Sequence, residues 1–265
     1  MRQIIVLLIL FFTLTSWKAD TSGPWIITKG KRIVLYSRPP GYSKAESPDS
    51  IAIQTIIQEQ EQAIDYINKR LNTNFDSKVK IFLFNRDEAK EKIGTDGGGF
   101  ASLSKFKQHI YFTFHPKPFL NTVLNKYDYL GVHEMVHIIT LSQIGNIRTR
   151  FFGEGYSNAI DGNYGIENVD GFLTRRRNDM TLIKIRANGR VLKPRELLYN
   201  DTIPEYEYYP QIGCLINWMF DKYGVDKINV LYDLKQDKIK TEFFNVTGVA
   251  FTDMENEYME YMKNN

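Results

Sequence analysis

The sequence predicts an α+β fold. Strand-type patterns gather before residue 115 and helical ones after residue 125, without the alternation of a βαβ chain. Hydrophobic residues make up 43% of 265 positions, enough to bury a substantial core in one domain or two closely packed lobes.

Residues 1–19 read as a signal peptide or N-terminal anchor. Arg2 precedes an unbroken apolar run from Ile4 to Phe12. That run is too short for a bilayer span, which takes roughly 20 residues, and suits the core of a secretory signal. Ser16 and Ala19 are candidate cleavage points. The body is therefore expected to be secreted, periplasmic or facing the cell envelope, with membrane contact only through an uncleaved N-terminal segment. Cys214 is the sole cysteine, so no intrachain disulfide can form, and its apolar neighbours in QIGCLINWMF mark it as packing.

An N-terminal α+β lobe is expected over residues 20–145. It opens with a strand over Arg32–Tyr36 and a Pro/Gly/Ser-rich loop. A helix over Ile51–Leu71 follows, capped by Asp49 or Ser50 and apolar at near-helical spacing. KVKIFLFN reads as a buried strand, and a short helix runs from Asp87 to near Gly94. Gly97, Gly98 and Gly99 mark a mobile loop or a bulge where something approaches the backbone closely. The stretch from there to HIYFTF predicts a hairpin or edge strand, and a helix is expected from about Lys126 to Leu141.

A mainly helical C-terminal lobe is expected over residues 146–265, forming one domain in all with the first. Its helices are read in NIRTRFFGEGYSNAIDGNYG, as a turn and then a short helix, in FLTRRRNDMTLIKIRANG, in YPQIGCLINWMFDKYG up to Gly224, and in FTDMENEYMEYMKN.

Lys and Arg number 34 against 31 Asp and Glu, a net charge of +3, so a nucleic-acid partner is not expected. The Arg175–Arg177 cluster reads as solvated surface, His109 and His115 as structural or exposed, and the aromatics of PEYEYYPQ as core and rim.

The chemistry concentrates in GVHEMVHIIT. His133 and His137 stand one helical turn apart on one face, so both imidazoles can converge on one ion. Glu134 lies about 100° round the helix, where it can take a proton from an activated water without being a ligand. The flanking residues Leu130, Val132, Met135, Val136, Ile138 and Ile139 are apolar, so the helix is expected to be mostly buried, where unpaired imidazoles are costly. Glu154, sixteen intervening residues beyond His137, is the candidate third ligand, brought back by a turn and an antiparallel helix.

His133-Glu134-x-x-His137, followed by a Glu-Gly-x-small stretch after the aromatic pair Phe151–Phe152, resembles the gluzincin metallopeptidases. This peptidase MA-like group includes the thermolysin-like enzymes and the zinc aminopeptidases. The resemblance implies a zincin-like fold, with an edge strand packed on the active-site helix. It implies one Zn²⁺ held by His133, His137 and Glu154, with Glu134 as the base. YPQIGCLINWMFDKYG is similar to a family helix whose first tyrosine hydrogen-bonds the oxyanion; Tyr209 matches best, with Tyr206 and Tyr208 competing. GGGFASLSKFKQHIYF resembles the strand along which family substrates lie extended, which implies main-chain pairing to Phe100 and Ala101. Thermolysin-like members carry an aspartate four residues after the glutamate to orient a ligand histidine. Asn158 stands there in this chain and Asp161 follows, and either could accept the imidazole N–H.

The resulting expectation is a zinc metallopeptidase acting on peptides or proteins. The alternative is a zinc-retaining peptidase-fold module that binds or scaffolds a partner without turnover.

Overall fold

A computed structural model describes residues 19–264 except 96–97, 103, 105, 117–118, 122–125, 162–166, 170–171 and 175–188. The apolar N-terminal run, Gly97 and the Arg175–Arg177 cluster lie outside the described residues. The fold is mixed α+β, with a five-stranded mixed sheet and, among the described residues, nine helices.

The sheet runs β1 (Ile26–Lys29), β2 (Ile33–Ser37), β3 (Val79–Phe84), β5 (His109–Thr113) and β4 (Gly99–Ala101) from edge to edge. β2, β3 and β5 are parallel, and β1 and β4 close the two edges antiparallel. β3 is buried along almost its whole length, as its apolar run predicts. The hairpin expected after the glycines is present, with β4 as an edge. Gly99 is obligatory there, because a Cβ would fall 2.1 Å from Phe112 Cδ2 and 2.6 Å from the Tyr111 carbonyl oxygen.

Helix α1 (Ser50–Leu71) lies across the inner sheet face. Asp49 is its cap: the carboxylate accepts from the Ala52 N–H at 2.7 Å. Ala52, Ile56, Ala63, Ile64, Ile67 and Leu71 form its buried stripe. Helix α2 (Arg86–Ile93) starts with a capping box between Asn85 and Glu88 and ends on Gly94 at φ +78°. It packs with Phe82, Phe84 and Trp25 on the outer sheet face. There the fully buried Arg38 pairs with Glu88 at 2.7 Å and stacks 3.7 Å over Trp25.

The next helix departs from expectation. α3 runs His133–Gln143, and residues 126–128, expected to be helical, form strand β7 (Lys126–Asp128) paired with β6 (Phe119–Asn121). Gly131 sits at φ +67°, outside helical space, so the helix cannot extend upstream through it. Its carbonyl accepts from the buried Gln60 side chain of α1 at 2.8 Å, which fixes the point where α3 begins.

After α3 come α4 (Arg150–Asp161) and a small hairpin of β8 (Glu167–Val169) and β9 (Phe172–Thr174). The helix expected over FLTRRRNDMTLIKIRANG is therefore a strand at 172–174, and most of the remainder lies outside the described residues. Phe172 and Thr174 favour a pleated strand when a partner is at hand. Helices α5 (Pro194–Tyr199), α6 (Glu205–Tyr223), α7 (Val225–Asn229), α8 (Ile239–Thr247) and α9 (Phe251–Asn264) complete the chain. One hydrophobic cluster spans the inner sheet face and helices α1, α3, α4, α6 and α9, with Cys214 buried in it. No helix among the described residues is long and apolar enough to cross a membrane.

Candidate metal centre

α3 is apolar nearly all round: Met135, Val136, Ile138, Ile139 and Leu141 are buried. Its register is held by Thr140, whose hydroxyl donates back to the Val136 carbonyl at 2.8 Å and receives the Tyr232 hydroxyl at 2.8 Å. This rigid packing presents His133 and His137 together, with ring centroids 5.0 Å apart.

α4 returns against α3, anchored by the buried Phe151, Phe152 and Tyr156. Its depth is set by close approach to α6. A Cβ on Gly155 would lie 2.7 Å from Ile216, and one on Gly213 would lie 3.0 Å from Asn158. These two glycines let the helix backbones meet. Glu154 precedes the first, and Tyr209 stands one turn before the second, so the same contact sets both side chains. The aromatic pair marks the buried stripe of α4 for the same reason.

His133, His137 and Glu154 converge. Their ligand atoms lie within 4.8 Å of one another. His133 Nε2 is 3.3 Å from Glu154 Oε2, and His137 Nε2 is 3.7 Å from Oε1. Ligand atoms around a tetrahedral ion with bonds of 2.0–2.1 Å stand about 3.3–3.4 Å apart, so the spacing suits a small divalent cation. Glu154 Oε2 is buried and meets no well-aligned hydrogen-bond donor. A carboxylate oxygen left so, facing two imidazoles, is what a cation would satisfy.

The electrostatics follow from crowding. Burial alone would raise the Glu154 carboxyl, but His133, His137 and a hydrogen bond from Tyr209 outweigh it and hold it at about 2. Burial would lower His133, yet Glu154, Glu134 and Asp161 carry it to about 9. Burial and the neighbouring His133 push His137 down to about 4. Glu134 is raised, chiefly by burial, with the Glu154 charge adding to it.

Glu134 lies beside the sheet edge and accepts a hydrogen bond from the Ala101 N–H. The flanking bonds, Ser102 N–H to the His109 carbonyl and Thr113 N–H to the Gly98 carbonyl, fix the parity of β4. Phe100 turns its main chain inward to Tyr111, so the groups on the free edge belong to Gly99 and Ala101 rather than to Phe100. The Phe100 ring packs on Tyr111 on the outer face, 5.0 Å between centroids.

Of the three candidate tyrosines, Tyr209 is at the site, its ring 6.0 Å from His133. Tyr208 is buried and donates to the Leu197 carbonyl, and Tyr206 is exposed. Burial and the nearby Glu154 raise the Tyr209 hydroxyl far above its ordinary value, so it stays a donor. Arg150 lies over Tyr208 and Tyr209 and donates to the Asp201 and Ile203 carbonyls, which secures the start of α6.

Asn158 donates to the Glu154 carbonyl in its own helix at 2.8 Å, while Asp161 reaches the site by its charge. The side chain that meets an imidazole is Ser157, whose Oγ is 3.2 Å from His137 Nδ1 and 3.3 Å from Nε2. Sequence reasoning missed it by seeking a carboxylate; the signal was its i+3 spacing from Glu154, which puts a hydroxyl on the same helical face.

The chain matches no family model, and the search of curated proteins finds no relative.

Proposed function

We propose that the protein is a zinc-dependent peptidase of gluzincin type. The observation that carries the reading is the convergence of His133, His137 and Glu154, with Glu134, next to His133 in the same turn, beside Ala101 on the edge strand β4.

The residue set, two imidazoles and one carboxylate, suits Zn²⁺ and leaves room for a water or substrate in the fourth position. Zinc held there would supply Lewis acidity and lower the pKa of a water molecule. The chain's own residues do the rest. Glu134, its affinity for a proton raised by burial, accepts the water proton and returns it to the leaving amine. The Ala101 N–H orients the Glu134 carboxylate, and the outward main-chain groups of Gly99 with the Ala101 carbonyl hold an extended peptide by strand addition. Tyr209, kept protonated, donates to charge that develops on the carbonyl oxygen.

Glu134→Gln tests this reading. It should retain zinc and lose peptide hydrolysis by roughly 10²–10⁴-fold, the usual worth of a positioned general base. Peptide-library cleavage by the variant at the wild-type rate would show the base to be misassigned. A wild type that holds zinc and cuts no peptide would instead favour the scaffolding alternative.

A further inference from the structure

The end of the sheet from which the parallel strands start carries an unusual surface. Register places Lys29, Val34, Lys80 and His109 in one row across β1, β2, β3 and β5. Lys29 and Lys80 are exposed, as are Lys31 and Lys78 in the adjoining loops and Lys107 just before β5. The loops are adjacent, since Lys78 Nζ donates to the Lys31 carbonyl at 2.6 Å. Lys80 and Lys107 both act on His109, which, chiefly by burial, is held below its ordinary value. Asp76 lies in the same loops, and Asp65 is already paired with Arg32 at 2.6 Å. The β4–β5 hairpin closes with the Lys107 N–H on the Ser104 carbonyl. At its tip Phe106 is 98% exposed, the most exposed of the large hydrophobic residues described.

We infer that this end of the sheet docks on an anionic lipid bilayer, with Phe106 inserting among the headgroups and the lysines lying over them. The charge is complementary to anionic lipid, and each lysine near such a surface adds attraction that fades within a Debye length. A lone phenylalanine at a hairpin tip gains little from a soluble polyanion but enters the acyl boundary readily. The cations that face the surface here are lysines, which suit fluid headgroups as point charges; fixed phosphates are more often gripped by arginine forks. The sequence alone admitted a membrane contact only through its N-terminal run, whereas this surface belongs to the folded domain. It depends neither on a bound metal nor on turnover. Because the hairpin continues β4, docking would hold the edge beside Glu134 close to the bilayer.

The test is vesicle co-sedimentation of the full chain, with phosphatidylcholine vesicles against vesicles containing about one-third phosphatidylserine. The N-terminal run contributes equally to wild type and variants. The full chain should bind the anionic vesicles more tightly, and the excess should vanish in 0.5 M salt. Lys80→Ser/Lys107→Ser should weaken that binding roughly 25-fold, from about fivefold per lysine. Phe106→Ser should weaken it roughly tenfold. Phe106→Trp should give blue-shifted emission, quenched by brominated lipid, on anionic vesicles. Equal binding to both vesicle types, variants that bind like the wild type, or retention on a soluble anionic polymer in place of vesicles would each overturn the inference.

Discussion

In the proposed centre, His133 holds a proton that a metal would have to displace. With Glu154 at about 2, His137 at about 4 and His133 at about 9, only His133 is protonated across the neutral range. A ligating imidazole must be neutral, so cation uptake releases that one proton. The sign follows: apparent affinity rises with pH up to the His133 value and falls in acid. Titration with a competing chelator should show about a tenfold gain per pH unit between roughly 6 and 8. A pH-independent affinity would mean that His133 carries no proton for the cation to displace. At this scale the pairing of His133 with His137 was legible in the sequence, because a five-residue motif on one helix encodes its own geometry, and Glu154 joins them. Ser157 and the division of labour among three tyrosines were not legible. They depend on how α4 and α6 rotate against α3, which residue spacing leaves open.

At the scale of elements, the site depends on how closely α4 meets α6. Gly155→Val would drive a branched side chain into Ile212 and Ile216, where even a Cβ lies 2.7 Å from its neighbour. Overpacking of this kind costs about 1–3 kcal/mol. The expected outcome is a lower melting temperature together with weakened metal binding, because Glu154 and Tyr209 move with the two helices. Wild-type melting and metal affinity would show that the helices need no glycine contact. The long helices and the apolar β3 were readable from periodicity, since burial imposes the pattern. The strands at 126–128 and 172–174 were not. Short strands lack a period long enough to detect, and local apolar content alone cannot separate them from helix. The true start of α3 turned on a single backbone conformation at Gly131.

Over the whole molecule, one core joins the sheet to the C-terminal helices, and buried ion pairs fasten the periphery. Arg195 of α5 grips Glu255 of α9 through paired hydrogen bonds, with Glu255 almost fully buried. Burial would raise the Glu255 carboxyl, but the Arg195 bonds outweigh it and hold it below 4.5. A depressed folded value stabilises above the unfolded one, near 4.5, and that stabilisation is lost as pH falls through the folded value. Glu255→Gln should cost about 1–2 kcal/mol at pH 7, less than a fully buried pair because Arg195 is half-exposed. In urea unfolding, the gap from wild type should shrink on acidification towards pH 3. A gap that stayed constant with pH would mean that the ion pair contributes nothing.

The proposed function rests on a divalent cation held between α3 and α4. Elemental analysis of the purified full chain after exposure to zinc and dialysis tests it most directly. About one zinc per chain is expected in the wild type and in Glu134→Gln, and almost none in Glu154→Ala, since a structural or catalytic site needs its third ligand. A wild type that retains no metal, or a Glu154→Ala variant that holds a full equivalent, would contradict the account.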